Sequence, residues 1–126
     1  MRNKYLKQTD NRPTTPFESS EEAWFWYCLC QRLGFERARS NGRGIARPCE
    51  SSDIVIAVKK LLRMGRLRPA HLTVMTYYGR EQAPPHINFG ATERICTLWR
   101  EAMDFLDSLL RQKGIVGDWA PSGVSP

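Results

Sequence analysis

The stretch Thr92-Glu93-Arg94-Ile95-Cys96-Thr97-Leu98-Trp99-Arg100-Glu101-Ala102-Met103-Asp104-Phe105-Leu106-Asp107-Ser108-Leu109-Leu110-Arg111-Gln112-Lys113-Gly114 decides the fold. Ile95, Leu98, Trp99, Ala102, Phe105, Leu106, Leu109 and Leu110 recur every three or four residues, the period of one helix face. Thr92 suits the N-cap and Glu93 the first turn, where a carboxylate meets the positive end of the helix dipole. Arg111 and Lys113 suit the last turn, and Gly114 supplies the stop. The spacing predicts a helix over 92–113, about 21 residues and roughly 30 Å long. A helix with so continuous an apolar stripe is the spine of its domain.

Two further elements lie upstream of it. Ile54, Ala57, Val58, Leu61 and Leu62 hold helical spacing, with Ser51 or Ser52 as cap and Gly65 as stop. Pro69 fits a first helical position, and Leu72 and Met75, with Tyr77 or Tyr78, continue the period. Both segments open with or contain β-branched residues, so a hairpin over 54–78 is the alternative. Near the N-terminus, Ser19-Ser20-Glu21-Glu22 forms a capping box that predicts a helix to about Arg37. Trp26, Leu29, Cys30 and Leu33 share its apolar face. Trp24 and Phe25 fall off that stripe, so Trp24-Phe25-Trp26-Tyr27 is too apolar for a one-sided surface helix. Either neighbours cover it on two sides, or Trp24, Phe25 and Tyr27 await a partner.

The fold expectation is therefore mainly α: a compact four-helix domain over 17–116. A basic tail, 1–16, precedes it, and a Gly/Pro-rich tail, 117–126, follows. Trp119 is placed to tack the second tail to the body. The 126 residues suffice for one domain, and 41% hydrophobic with 25% charged residues excludes a wholly disordered chain. No apolar run reaches the roughly 20 residues a membrane helix needs, and Met1–Lys7 lacks the apolar stretch of a secretory signal. A cytoplasmic protein with reduced thiols at Cys28, Cys30, Cys49 and Cys96 is expected.

Chemistry-bearing patterns are few. Cys28-Leu29-Cys30 lacks metal-knuckle spacing, and no nucleophile–base–acid set stands at a familiar spacing. Gly42-Arg43-Gly44 is too short for a phosphate loop. Glu101, Asp104 and Asp107 read as a solvated outer face. The expectation is no enzyme, no cofactor, no metal and no small-molecule substrate. Charge says more, with 19 Lys and Arg against 13 Asp and Glu, a net +6. Lys59, Lys60, Arg63, Arg66 and Arg68 place five cations in ten residues without an acid, a pattern suited to phosphates or an acidic protein. Arg37, Arg39, Arg43 and Arg47 could extend that patch.

The order of elements from 53 to 113 resembles the C-terminal promoter-reading domain of sigma-70-type factors, region 4, and the related domain of phage Q-type antiterminators. The resemblance rests on a helix ending at Tyr77-Tyr78-Gly79, on Gly90 in frame beyond it, and on Thr92 opening a long helix. The opening Phe17–Trp26 and the close Lys113-Gly114-Ile115-Val116 are similar to small regulators of phage or gene-transfer-agent genes in alphaproteobacteria. The resemblance implies a helix-turn-helix-like C-terminal half and transcriptional regulation through DNA, RNA polymerase or another transcription protein. Arg94, Thr97 and Arg100 would then read a groove while the Lys59–Arg68 cluster holds phosphates. The chain departs from that pattern at Pro84-Pro85, which replaces a helix with a loop over 80–90. Ile87 and Phe89 are expected to pin this loop on the long helix, leaving His86 and Asn88 outward. The rival function is a protein-interaction module docking through the aromatic patch of the first helix.

Overall fold

A computed structural model of the chain describes residues 14–34 and 46–117. Four α-helices carry it: α1 (Ser20–Leu33), α2 (Ser51–Arg63), α3 (Pro69–Glu81) and α4 (Glu93–Gln112). A single 3₁₀ turn, Ile87–Phe89, lies between α3 and α4. Helix α1 packs on each of the other three, and α4 on all three as well. The hairpin alternative for 54–78 is excluded, because both segments are helical and no strand occurs among the described residues. The result is the expected mainly α, four-helix domain.

The helix ends follow local chemistry. Ser19 Oγ accepts the Glu22 N–H at 3.1 Å, while Glu22 reaches back to accept the Glu18 N–H at 2.8 Å. Helix α1 stops four residues earlier than the expected Arg37, where Gly34 turns to φ 90°. Glu50, rather than Ser51 or Ser52, caps α2, and the Asp53 carboxylate accepts the Glu50 N–H at 2.8 Å. At the other end of α2 the Gly65 N–H meets the Leu62 carbonyl and the Arg66 N–H the Leu61 carbonyl. That paired arrangement needs a left-handed residue, which glycine supplies at φ 77°. Gly114 repeats it after α4, bonding Arg111 while Ile115 bonds Leu110. Helix α3 starts on Pro69 and runs two residues past Gly79, to Glu81.

The core joins Ile54, Val58 and Leu61 of α2, Val74 and Met75 of α3, and Trp99, Leu106 and Leu110 of α4. The expected α4 stripe lines it, although Ile95, Leu98 and Phe105 are only partly buried. In α1 the buried residues are Ser20, Ala23, Trp24 and Cys30, whereas Trp26, Leu29 and Leu33 are half-buried. The expected stripe is thus displaced, because α1 is covered on several sides rather than one. Phe17 tilts against Trp26 at 5.2 Å, Trp24 stacks on Tyr27 at 5.3 Å, and Phe25 stacks on Trp99 at 5.6 Å. Trp24 is 6% exposed, and its indole N–H donates to the Met75 carbonyl at 2.9 Å. It is therefore a core residue and not an open docking residue.

Polar side chains tie α1 to α4. Ser20 is buried, with its hydroxyl donating to the Met103 carbonyl at 2.7 Å and its N–H to Asp107 at 3.0 Å. The Trp99 N–H donates to Glu21 at 2.7 Å. Asp107 is consequently an interhelix acceptor and not a merely solvated acid. The ends of the described domain also meet. Phe17, fully buried, donates its N–H to the Ile115 carbonyl at 2.9 Å and accepts from the Gly117 N–H at 2.9 Å, a parallel bridge with Val116. Thr15, two residues before Phe17, is tied to a different segment, its N–H donating to the Ala46 carbonyl at 2.8 Å. The last residues of the expected N-terminal tail are thereby part of the folded body. Most of that tail, Trp119 and the arginines at 37, 39 and 43 lie outside the described residues.

Candidate nucleic-acid interface

The expected cation cluster is built on one edge of the bundle. Lys59, Lys60 and Arg63 occupy one side of the last turns of α2, opposite the buried Ile54, Ala57 and Leu61. After Gly65 the chain crosses to α3. Leu67, buried beneath the crossing, anchors it, so Arg66 and Arg68 on either side of it face outward. All five cations are exposed, and none pairs with a carboxylate among the described residues. Arg66 lies over the Phe105 ring at 5.9 Å, which supports its stem against α4.

The crossing is fixed by a residue absent from the sequence-based site, His71. The Arg68 backbone N–H donates to His71 Nδ1 at 3.1 Å, and His71 Nε2 lies 3.0 Å from Glu101 Oε1. A backbone N–H can only donate, so Nδ1 accepts and the ring proton sits on Nε2, facing the carboxylate. This tautomer is assigned from the network of bonds. His71 is 2% exposed, so both ring nitrogens are satisfied inside the protein. Glu101, expected on a solvated face, is in fact the acceptor that joins α4 to the start of α3.

A groove of about 750 Å³ opens beside this pair, between the start of α3 and the first half of α4. Arg68, Arg94 and Thr97 line it together, and Glu93 and Glu101 line it too. The structure thus brings three expected contact residues into one groove. Arg100 does not line it; the Arg100 guanidinium lies on the exposed surface, 3.4 Å from the Thr97 hydroxyl. Acids and arginines alternate along this face of α4, so its field is mixed, and Glu101 also lies in a hollow beside Arg66 and Arg68 at the end of the cation edge.

Other expected features fall elsewhere. Arg47 does not extend the patch: it sits over the Phe17 ring at 4.2 Å, pairs with Glu22 at 3.3 Å and donates to the Thr15 carbonyl at 3.1 Å. Where the resemblance places a helix, Pro84 and Pro85 run without regular structure into the short 3₁₀ turn. Phe89 is 87% exposed and Ile87 is exposed beside it, so neither pins the loop on α4. The reason is that Ala91, not Phe89, makes the buried contact, with its N–H on the His86 carbonyl at 3.2 Å. His86 is outward as expected, with its ring nitrogen accepting the Asn88 N–H at 3.0 Å.

Three of the four thiols are held toward the neutral form. Burial pushes Cys28 up to about 11 and Cys49 up to about 12, the latter helped by the Asp53 carboxylate, and burial also raises Cys30. No three His, Cys, Asp or Glu side chains gather at a metal-binding distance among the described residues. No helix among them is long and apolar enough to cross a membrane. Compared with known proteins, the chain matches no family model, no curated sequence and no solved structure.

Proposed function

We propose that this domain is a small transcriptional regulator that engages duplex DNA by its phosphate backbone, acting with RNA polymerase or another transcription protein. The observation that carries the reading is the row Lys59, Lys60, Arg63, Arg66 and Arg68, exposed and without carboxylate partners among the described residues. Such a row binds phosphates by releasing condensed counterions, which gives affinity and position without sequence information. Arg94 and Thr97, in the adjoining groove with Arg68, are the candidate contacts to bases or to further phosphates. Pro84-Pro85 and the alternating charges of α4 favour backbone engagement over base reading, because no helix immediately precedes α4 to set its angle on a groove. The test is a salt titration of binding to unrelated duplexes. The wild type should show a steep slope of log affinity against log salt. Lys59→Ala/Lys60→Ala/Arg63→Ala should weaken every duplex similarly and flatten the slope by roughly 0.9 for each phosphate no longer neutralised. Absence of duplex binding at low salt would refute the reading.

A second reading, a protein-interaction module, is favoured by Tyr77, Ile87 and Phe89, each more than half exposed at the α3–α4 end. It replaces the α1 patch, of which Trp24 is core and Phe25 and Tyr27 are half-buried in ring stacks. Affinity capture that yields RNA polymerase subunits with the wild type but not with Phe89→Ser would support it.

A further inference from the structure

Gly79 marks a close approach of α3 to α1. A Cβ there would overlap Cys28 Sγ and come within 2.8 Å of Trp24 Nε1. Beside this contact the two helices part into a groove of about 410 Å³, within the roughly 300–1,000 Å³ of ligand sites. One wall is Tyr27, backed by the buried Trp24 on which it stacks, with ring centroids 5.3 Å apart and planes 28° from parallel. Cys28 extends that wall, and burial keeps its thiol neutral at ordinary pH. The rim carries Arg32 from α1 and Arg80 from α3, and no acid lines the groove. Arg32 Nη1 donates to the Arg80 carbonyl at 3.3 Å, which fixes the guanidinium at the mouth with its other N–H groups still available. Neither arginine pairs with a carboxylate among the described residues.

A flat apolar wall beneath two guanidinium groups selects a flat ligand with an oxyanion at one end. The ring lies on Tyr27, while the oxyanion takes the forked N–H groups that match carboxylate and phosphate geometry. We propose that the α1–α3 groove is a binding site for a small planar aromatic oxyanion, held by stacking on Tyr27 and by Arg32 and Arg80. A carboxylate and a phosphate satisfy this chemistry alike. The site is separate from the Lys59–Arg68 edge and does not depend on DNA binding.

The experiment is calorimetric titration of the full chain with indole-3-carboxylate, adenosine 5′-monophosphate and the neutral indole-3-carboxamide. At least one oxyanion should bind, and the carboxamide should bind roughly tenfold more weakly or not at all. Binding of the first alone assigns the oxyanion to a carboxylate, and of the second alone to a phosphate. Arg32→Gln and Arg80→Gln should each weaken the bound oxyanion several-fold with an unchanged thermal melt. Tyr27→Leu should weaken it while leaving the preference over the carboxamide intact. Lys59→Ala/Lys60→Ala should leave it unaffected, which keeps this result apart from the DNA titration. No binding of either oxyanion at millimolar concentration would overturn the proposal. So would equal binding of the carboxamide, or indifference to both arginine variants.

Discussion

His71 Nε2 and Glu101 Oε1 lie 3.0 Å apart, and through them the first turn of α3 is held to the middle of α4. The same imidazole holds the Arg68 N–H on its other nitrogen, so one buried ring fixes both the helix start and the arginine that precedes it. Removing the ring strands an N–H and opens a void. His71→Ala should therefore cost about 2–4 kcal/mol in a chemical melt. Glu101→Gln keeps an acceptor on a half-exposed side chain and should cost under about 1 kcal/mol. Equal losses in the two variants would make the carboxylate's charge, and not the ring's two hydrogen bonds, the support.

Trp99 is buried between Phe25, stacked at 5.6 Å, and Tyr78, edge-on at 6.2 Å. Trp99→Ala should cost about 3–5 kcal/mol. Glu21→Ala removes the acceptor of the indole N–H and a first-turn carboxylate of α1, and should cost about 1–2 kcal/mol. A Trp99→Ala loss below about 1 kcal/mol would show that the α1–α4 contact is not a core contact.

At Gly79 the extra methyl of alanine meets Cys28 Sγ and Trp24 Nε1. Gly79→Ala should destabilise by about 1–3 kcal/mol despite the better helix propensity of alanine. Cys28→Ala removes the closer of the two obstacles, so the double variant should lose less than the sum of the singles. Additive losses would place the strain on Trp24 alone.

The Cys28 thiol adds a pH dependence. Its pKa is raised from 9.0 to about 11 by burial. Above pH 9 the unfolded chain releases this proton and the folded one retains it, so the folded state binds more protons and stability falls as pH rises. The Cys28 share of the fall should run from about pH 9 to about 11, while Cys49, raised to about 12 by burial, carries the fall further. Cys28→Ala should be flatter over that interval in chemical melts; an identical fall in both proteins would assign it to other groups.

Much of the architecture is legible in the sequence because it is local. Ser19 with Glu22, Gly65, Pro69, Thr92 and Gly114 each declare a helix end through bonds made within a turn. The α4 stripe is readable because only one side of that helix faces the core. Helix α1 resists the same treatment, since covering on several sides erases the one-sided period and hides which of Trp24 and Trp26 is deeper. The Lys59–Arg68 edge is visible as a charge run with no acid in it. The His71–Glu101 and Ser20–Asp107 ties join residues far apart in sequence, and nothing in the spacing of those acids distinguishes them from solvated ones. Arg47 likewise carries no local sign that Phe17 and Glu22 occupy it. Hydrophobicity alone points the Phe89 side chain inward, but the short turn closes on Ala91 instead.

The seam between Phe17 and Val116 gives the chain a timetable. Synthesis is vectorial, and Phe17 emerges almost a hundred residues before the segment whose backbone it bonds. Its ring is fully buried in the folded domain, against Trp26 and beneath Arg47. Its N–H and carbonyl find Ile115 and Gly117 only once that segment has been made. Arrival of residues 115–117, rather than the completion of any one helix, is the event that lets this seam close.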